Sequence, residues 1–568
     1  MDATSQSKKA ELVPFALKDA PALIEKAFPA SKVSFEAQRE RKSVQSQTIT
    51  GLGSYWKGRK PLLLVRAIVL GSLLPQTEDA ELDLAIFEAL MSFDLTGLAR
   101  RAAAQDPLHP HDIANSITLA SPWDYFQFIM RDENVDPQFI ESKKFPLDAD
   151  ELGIRIKWLD GRNLDAKAEV YRAILSHYAS YEARSLLGKR PEEVDEGWLL
   201  SPIWPLVNKV YAKFGVHAHS IHDLVAQFGY LRFGRAVNVG DVFSGGGSIP
   251  FEAARMGCGV YASDLNPIAC MLTWGTLNII GAGVEERERI DEIQDQVVKS
   301  VEDRINEMGI EHDRHGNRAK AFLYCLETQC PETGWIVPLS PTWVVSKSRK
   351  VVAKLIPDEA AKRFDIEIVS GVSKEEMAIA EKGTLQNGHL VYELQGKTYQ
   401  VAIKTIRGDY RGRTGSGNKL RPWEKEDFRP RCDDVFQERL YAIQWIKADT
   451  VNSGRPSTYF DSVSEDDLER ERAVIQYVSD HLEAWQKQGV VPDMAIEGGD
   501  ETSRLRRERG WTHWHHLFAP RQILIAAITR EEINKLPEKD QAPMMLSLAK
   551  MLDWSSKLCR YGTGAARE

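Results

Sequence analysis

The chain has 568 residues, 43% hydrophobic and 27% charged, the balance of an ordinary globular protein long enough for about three or four domains. Its net charge of −9 excludes whole-chain attraction to a polyanion, although local patches matter more than the total. No apolar run reaches the length of a membrane span: the longest, Pro61 to Leu74, is interrupted by Arg66. The opening residues MDATSQSKKAELVPF lack a signal-peptide core, and six scattered cysteines make no disulfide framework, so a cytoplasmic location is expected.

Five regions follow along the chain. Residues 1–80 hold FPASKVSFEAQRERK and SYWKGRKPLLLVRAIVLGSLLP, where Pro61 is a favoured first residue for the apolar helix after it. Residues 81–230 read as a helical region, with 3.6-residue periodicity in ELDLAIFEALMSFD and AEVYRAILSHYASYEARSLLG. Residues 231–310 contain a β-loop-α-β unit and a following helix over 284–308, with Ile290, Ile293, Val297, Val301, Ile305 and Met308 on one face and Gly309 as C-cap. Residues 320–431 form a β-rich insertion, signalled by alternating runs such as HLVYELQ and TYQVAIKTI. Residues 432–568 read as a helical C-terminal region, with 491–516 an irregular loop.

The β-loop-α-β unit carries the chemistry. A run from Val237 to Val242 holds Asp241 and meets the cluster Gly245, Gly246 and Gly247. A helix follows over Ile249 to Met256, and a second apolar run, Gly259 to Ala262, leads to Asp264. Glycines let a backbone approach a ligand, a helix N-terminus offers free N–H groups, and an acid at a strand tip accepts ribose hydroxyls. A dinucleotide site would have G-x-G-x-x-G; an acid ahead of the loop would repel a pyrophosphate. It suits a ligand with a cationic centre and an amino group, such as S-adenosylmethionine (SAM). The cofactor candidates are Asp241, Phe243, Ser244, Gly245, Gly247, Ser248, Asp264, Leu265, Asn266 and Pro267. Glu252, on the first helix, is either an aid to the cofactor's amino group or a surface carboxylate.

Residues 404–431 carry nine Lys or Arg against four acids, interleaved with Tyr410 and Trp423. Arg407, Arg411, Arg413, Lys419 and Arg421 are therefore candidates for double-stranded DNA contact, the alternative being a solvated loop. The run SRLRRERG (503–510) reads as a charged loop or helix face, with DNA backbone contact as the alternative. WTHWHHLF (511–518) clusters three histidines, but no Cys or acid lies close by, so no metal is expected there.

Several strings taken in order resemble one family, the large adenine-specific DNA methylases with a Zn-ribbon insertion and an N-terminal domain of unknown function. They are FPASKVSFEAQRER, SYWKGRKPLLLVRA, DVFSGGGSIPFEAARMGCGVYASDLNPIA, CLETQCPETGWIVPLSPTW, HHLFAPRQILIAA and WSSKLCRYG. By analogy, some relatives sit in anti-phage defence clusters. The resemblance implies an α/β fold: a partial Rossmann-like SAM-dependent methyltransferase sheet with the helical N-terminal region and the β-rich insertion attached. It assigns Asp241, Phe243, Gly245 and Gly247 to the cofactor loop, Asp264 to the ribose, and Asn266-Pro267 to the following turn. It places Trp56, Arg59, Pro61 and Arg66 in an N-terminal motif near the cofactor or the DNA.

The sequence departs from the family twice. The ribbon's two Cys-x-x-Cys pairs are reduced to Cys325 and Cys330, too few for a closed zinc shell, so a metal-free β element is expected. The [Asp/Asn/Ser]-Pro-Pro-aromatic loop that holds a flipped base is also missing, since no Pro-Pro pair occurs. Ser121-Pro-Trp-Asp124 and Ser340-Pro-Thr-Trp343 have one proline each. In the family that loop follows the region matching WSSKLCRYG, so no catalytic residue is expected in this sequence. The cofactor strand would then expose an unpaired edge bearing Val237, Val239 and Val242. A second polypeptide, or a continuation of the chain, is expected to supply the missing strands and the loop. The leading expectation is the SAM-binding and DNA-recognition portion of a DNA adenine amino-methyltransferase. The alternatives are a catalytically silent DNA-binding or assembly subunit of an anti-phage defence complex, and an RNA base methyltransferase.

Overall fold

A computed structural model of the chain describes residues 11–42, 49, 58–116, 122–130, 137–161, 163–412, 415–559 and 562–563. The protein is mixed α/β and divides into two units, Met1–Glu286 and Arg287–Glu568. Among the described residues no single helix is long and apolar enough to cross a membrane.

The first unit is largely helical. Helix α1 spans Ala30–Lys42 and α2 spans Leu62–Leu73. The α2 sequence LLLVRAIVLGSL is apolar nearly all round, and eight of its residues are buried, as such a helix must be. Pro61 precedes it and has no side-chain cap to offer. Glu40 of α1 takes that role, accepting the Leu62 and Leu63 N–H groups at 3.0 and 3.2 Å. Two short antiparallel strands, β1 (Phe126–Met130) and β2 (Ile154–Trp158), interrupt the region expected to be helical. They close a satellite core with Tyr171 and Ile174, a packing too local and too short for periodicity to reveal.

Helix α3 (Ile221–Phe233) leads into the β-loop-α-β unit: strand β3 (Asn238–Asp241), helix α4 (Ser248–Arg255), strand β4 (Gly259–Ala262) and helix α5 (Pro267–Gly275). β3 and β4 pair in parallel, in register from Asn238↔Gly259 to Asp241↔Ala262. Among the described residues they form a two-stranded sheet. One face packs on the core of α2, α3 and α4 through Val239 and Val260. The other face, with Gly240 and Tyr261, is open to solvent. The expected apolar edge is corrected in detail: Val237 and Val239 belong to the core, and only Val242 is exposed. The two-residue alternation turns the odd-numbered valines inward.

The second unit begins within helix α6 (Val284–Glu307), whose buried residues Ile290, Val297 and Ile305 lie on the predicted stripe. Its centre is a seven-stranded sheet built from β5 (Arg318–Gln329), β6 (Ile336–Leu339), β7 (Val344–Ser346), β8 (Val351–Asp358), β9 (Arg363–Ser370), β15 (Gln437–Ile446) and β16 (Thr458–Ser462), in the order β16-β15-β5-β6-β9-β8-β7. Every pair is antiparallel except β6–β9. A small sheet of β10 (Leu385–Gln386), β11 (His389–Leu394) and β12 (Lys397–Ala402) and a hairpin of β13 (Tyr410–Gly412) and β14 (Gly415–Gly417) complete the β-rich region. The expectation of helix from residue 432 is corrected, because β15 and β16 come first. β15 pairs with β5 more than a hundred residues earlier, a partner that local pattern does not reveal. Helix α7 (Glu465–Lys487) then packs with α9 (Pro520–Asn534) through Val474, Val478, Leu482, Ile523, Leu524 and Ala527. Between them, the expected irregular loop contains helix α8 (Thr502–Arg509), and α10 (Glu538–Ser555) closes the unit.

Candidate functional site

The Gly-rich loop between β3 and α4 is held at both ends by carboxylates. Asp241 Oδ1 accepts the Phe243 N–H at 3.1 Å. Asp264, just past β4, accepts the Gly245 N–H at 2.9 Å through Oδ2 and the Asn266 N–H at 2.9 Å through Oδ1. These N–H bonds, from Asn266 and then Gly245, hold the Asp264 carboxyl below its ordinary range. Each oxygen keeps a lone pair, and the residue is only half-buried, so a diol could still be accepted there. Asn266 caps α5 by accepting the Ile268 N–H, and Pro267 occupies the first helical position.

The ten candidate residues separate into two sets. Phe243 is 83% exposed and Leu265 is 98% exposed, beside the half-buried Asp264. Ser244 and Ser248 are buried, and Ser244 Oγ meets the Thr273 hydroxyl at 3.1 Å. Gly245 and Gly247 have φ of +52° and +79°, in the left-handed region that favours glycine. The close approach at Gly247 is to α5 rather than to a ligand: a Cβ there would lie 2.9 Å from Thr273 Cα. Sequence pattern alone does not mark Thr273 of α5 or Thr276 just past it. Their hydroxyls reach the Gly245 and Gly246 carbonyls at 3.1 and 3.3 Å and fix the loop from beneath. The available signal was a pair of threonines three apart on an apolar helix.

The N-terminal motif reaches the same unit. Arg59 pairs with Glu40 at 2.9 Å, while Trp56 lies outside the described residues. Arg66 of α2 pairs with Glu252 of α4 at 2.9 Å and with Glu196 at 2.6 Å. Glu252 is therefore not a surface carboxylate: it is 1% exposed, and burial pushes its carboxyl up despite Arg66 and Arg255. Arg66, Glu192, Glu196, Glu252 and Arg255 line a cavity of about 50 Å³, far too small for a nucleoside. The pair thus braces the helix that the glycine loop opens.

In the second unit the basic segment is only partly free. Arg407 is bound to Asp409 at 2.6 Å, and Arg421 to Asp427 and Asp434 at 2.5 and 2.8 Å. Arg411 and Lys419 are exposed, and Arg413 lies outside the described residues. Trp343, in the Ser340-Pro-Thr-Trp343 turn, is 5% exposed and packs against Tyr441, so it presents no ring to a base. Of Ser121-Pro-Trp-Asp124, Ser121 lies outside the described residues. His516 is buried with both ring nitrogens in use: Nδ1 accepts the Thr512 N–H at 3.1 Å and Nε2 meets the Glu424 carbonyl at 3.0 Å. Burial lowers its pKa to about 3, as befits a neutral structural imidazole. Cys325 and Cys330 are buried thiols, and burial raises Cys325 to about 12. Among the described residues no three His, Cys, Asp or Glu side chains gather as a metal site.

Residues 27–90 match a family described as a protein of unknown function (DUF1156). The match covers α1 and α2, which supply Glu40 and Arg66, and Arg59 between them. No curated protein and no solved structure matches the chain.

Proposed function

We propose that this chain is the SAM-binding and DNA-recognition portion of a DNA adenine amino-methyltransferase. One observation carries the reading: Asp264, just past β4, ties the glycine loop through Gly245 while remaining partly accessible beside the exposed Phe243. A ribose diol fits the remaining lone pairs of that carboxylate, the Phe243 face suits an adenine ring, and Asp241 suits the positive end of the ligand. SAM bound there would supply an activated methyl group. The protein's own contribution would be to orient the nucleoside and hold the loop.

The open face of the β3–β4 pair and its two-stranded extent support completion by a second polypeptide: parallel sheets are normally covered on both faces, and further strands and the base-binding loop would be added at the edges. The same feature favours, as a second reading, an assembly subunit of an anti-phage defence complex that does no chemistry.

Calorimetric titration with SAM tests the cofactor reading. Binding by the native chain is expected, and Asp264→Asn should weaken it by about 1.5–3 kcal/mol, roughly tenfold to hundredfold. No heat at millimolar SAM would overturn it. Methyl transfer to DNA by the chain alone would instead overturn the need for a partner.

A further inference from the structure

Helix α8 and the β13–β14 hairpin are about ninety residues apart in sequence and adjacent in the structure. Asn418 Nδ2, just after β14, donates to the Arg507 carbonyl at 2.6 Å. The Trp423 N–H donates to the Gly510 carbonyl at 2.8 Å, and Gly510, with φ of +80°, ends α8 tight against the Arg421 carbonyl. The approach admits no Cβ at Gly510, so α8 is seated firmly on the basic segment.

Two basic stretches thereby become one cationic surface. Lys404, Arg411 and Lys419 are exposed on the hairpin side, and Arg504, Arg506 and Arg507 on the helix. Arg411, Lys419 and Arg506 have no carboxylate partner among the described residues. Arg504 reaches Glu501 and Glu508 only at 3.9 Å, and Arg507 reaches Glu508 at 3.5 Å. The opposing acids are Glu501 and Glu508; Asp409 is already held by Arg407. Exposed pairs of this length contribute little and are readily exchanged for another anion. Tyr410, 64% exposed, lies across Gly417 on the same hairpin and offers an aromatic face.

We infer that α8 and the β13–β14 hairpin together form a binding surface for the phosphate backbone of duplex DNA. Successive phosphates carry one charge each, and cationic side chains that neutralise them release the condensed counterions to solvent. A row of exposed guanidiniums on a short anchored helix, beside Arg411 on the ribbon and Lys404 and Lys419 flanking it, fits such a polyanion; phosphate contacts of this kind fix register and leave sequence reading to other groups. The inference rests on reading the second unit as a DNA-recognition element, and it joins α8, for which sequence alone leaves DNA contact as an alternative, to residues 404–431 in one surface.

Fluorescence anisotropy with a labelled duplex, measured over a series of salt concentrations on the full chain, tests it. Arg506→Gln with Arg507→Gln should weaken binding and lower the slope of log affinity against log salt by about 1.8, two phosphate contacts. Should that variant lose its native thermal transition, Arg504→Gln with Arg506→Gln replaces it, with the same expectation. An unchanged slope in a folded variant removes α8 from the interface; a slope lowered by Arg411→Ala alone would leave the hairpin reading standing. No salt-dependent duplex binding by the native chain would overturn both. Tighter binding of a single-stranded RNA of equal length would assign the surface to RNA and overturn the proposal for DNA.

Discussion

The two sheets of this protein meet the demands of their backbones in opposite ways. The seven-stranded sheet of the second unit satisfies its own ladders, and Ala442 and Ile443 in its long β15 strand are fully buried. The β3–β4 pair of the first unit has two short parallel strands, one packed face and one open face. Parallel pairing is slightly weaker per residue, and a two-stranded sheet has little stability of its own. What steadies β3–β4 is the packing around it: α2 and α3 beneath, Thr273 and Thr276 under the loop, and Arg66 on Glu252. The larger sheet is a structural body, while the smaller one is a platform that exposes a loop and leaves surface for something else.

That contrast can be broken or sharpened by mutation. The largest effect is expected for Arg66→Ala, which leaves the Glu252 carboxylate buried without its main partner. The loss should be about 3–5 kcal/mol in chemical denaturation, and Arg66→Met combined with Glu252→Leu should recover much of it. If the single variant is as stable as the native chain, the brace on α4 has no energetic role. Next comes Ile443→Ala in β15, where a fully buried side chain leaves a cavity; about 2–5 kcal/mol should be lost. Tyr261→Ser on the open face of β4 should be the mildest, within about 0.5 kcal/mol of native in the isolated chain. A loss comparable to that of Ile443→Ala would mean that this face is covered after all.

Legibility followed the range of the interactions. The β-loop-α-β unit was readable because its parts lie within thirty residues: β4 has the predicted bounds, and α4 starts one residue before the predicted helix. The stripe on α6 was readable for the same reason. β15 and β16 were not, because their strand identity comes from pairing with β5. Composition leaves α8 open between a charged loop and a helix face: with no apolar face, TSRLRRER gives no periodic signal, and it is held by Asn418 and by the backbone of Trp423. The DNA candidates were readable as a charge count only. Which cations are spent in pairs, as Arg407 and Arg421 are, depends on folded neighbours.

Residue order alone determined that a glycine loop stands between two strand-terminal acids, because that geometry is set by local backbone chemistry. The tertiary structure decided which face of that unit is covered and that Glu252 is buried against Arg66. It also brought α8 to the hairpin. Burial and ion pairing are relations between distant segments, and they exist only once the chain has packed.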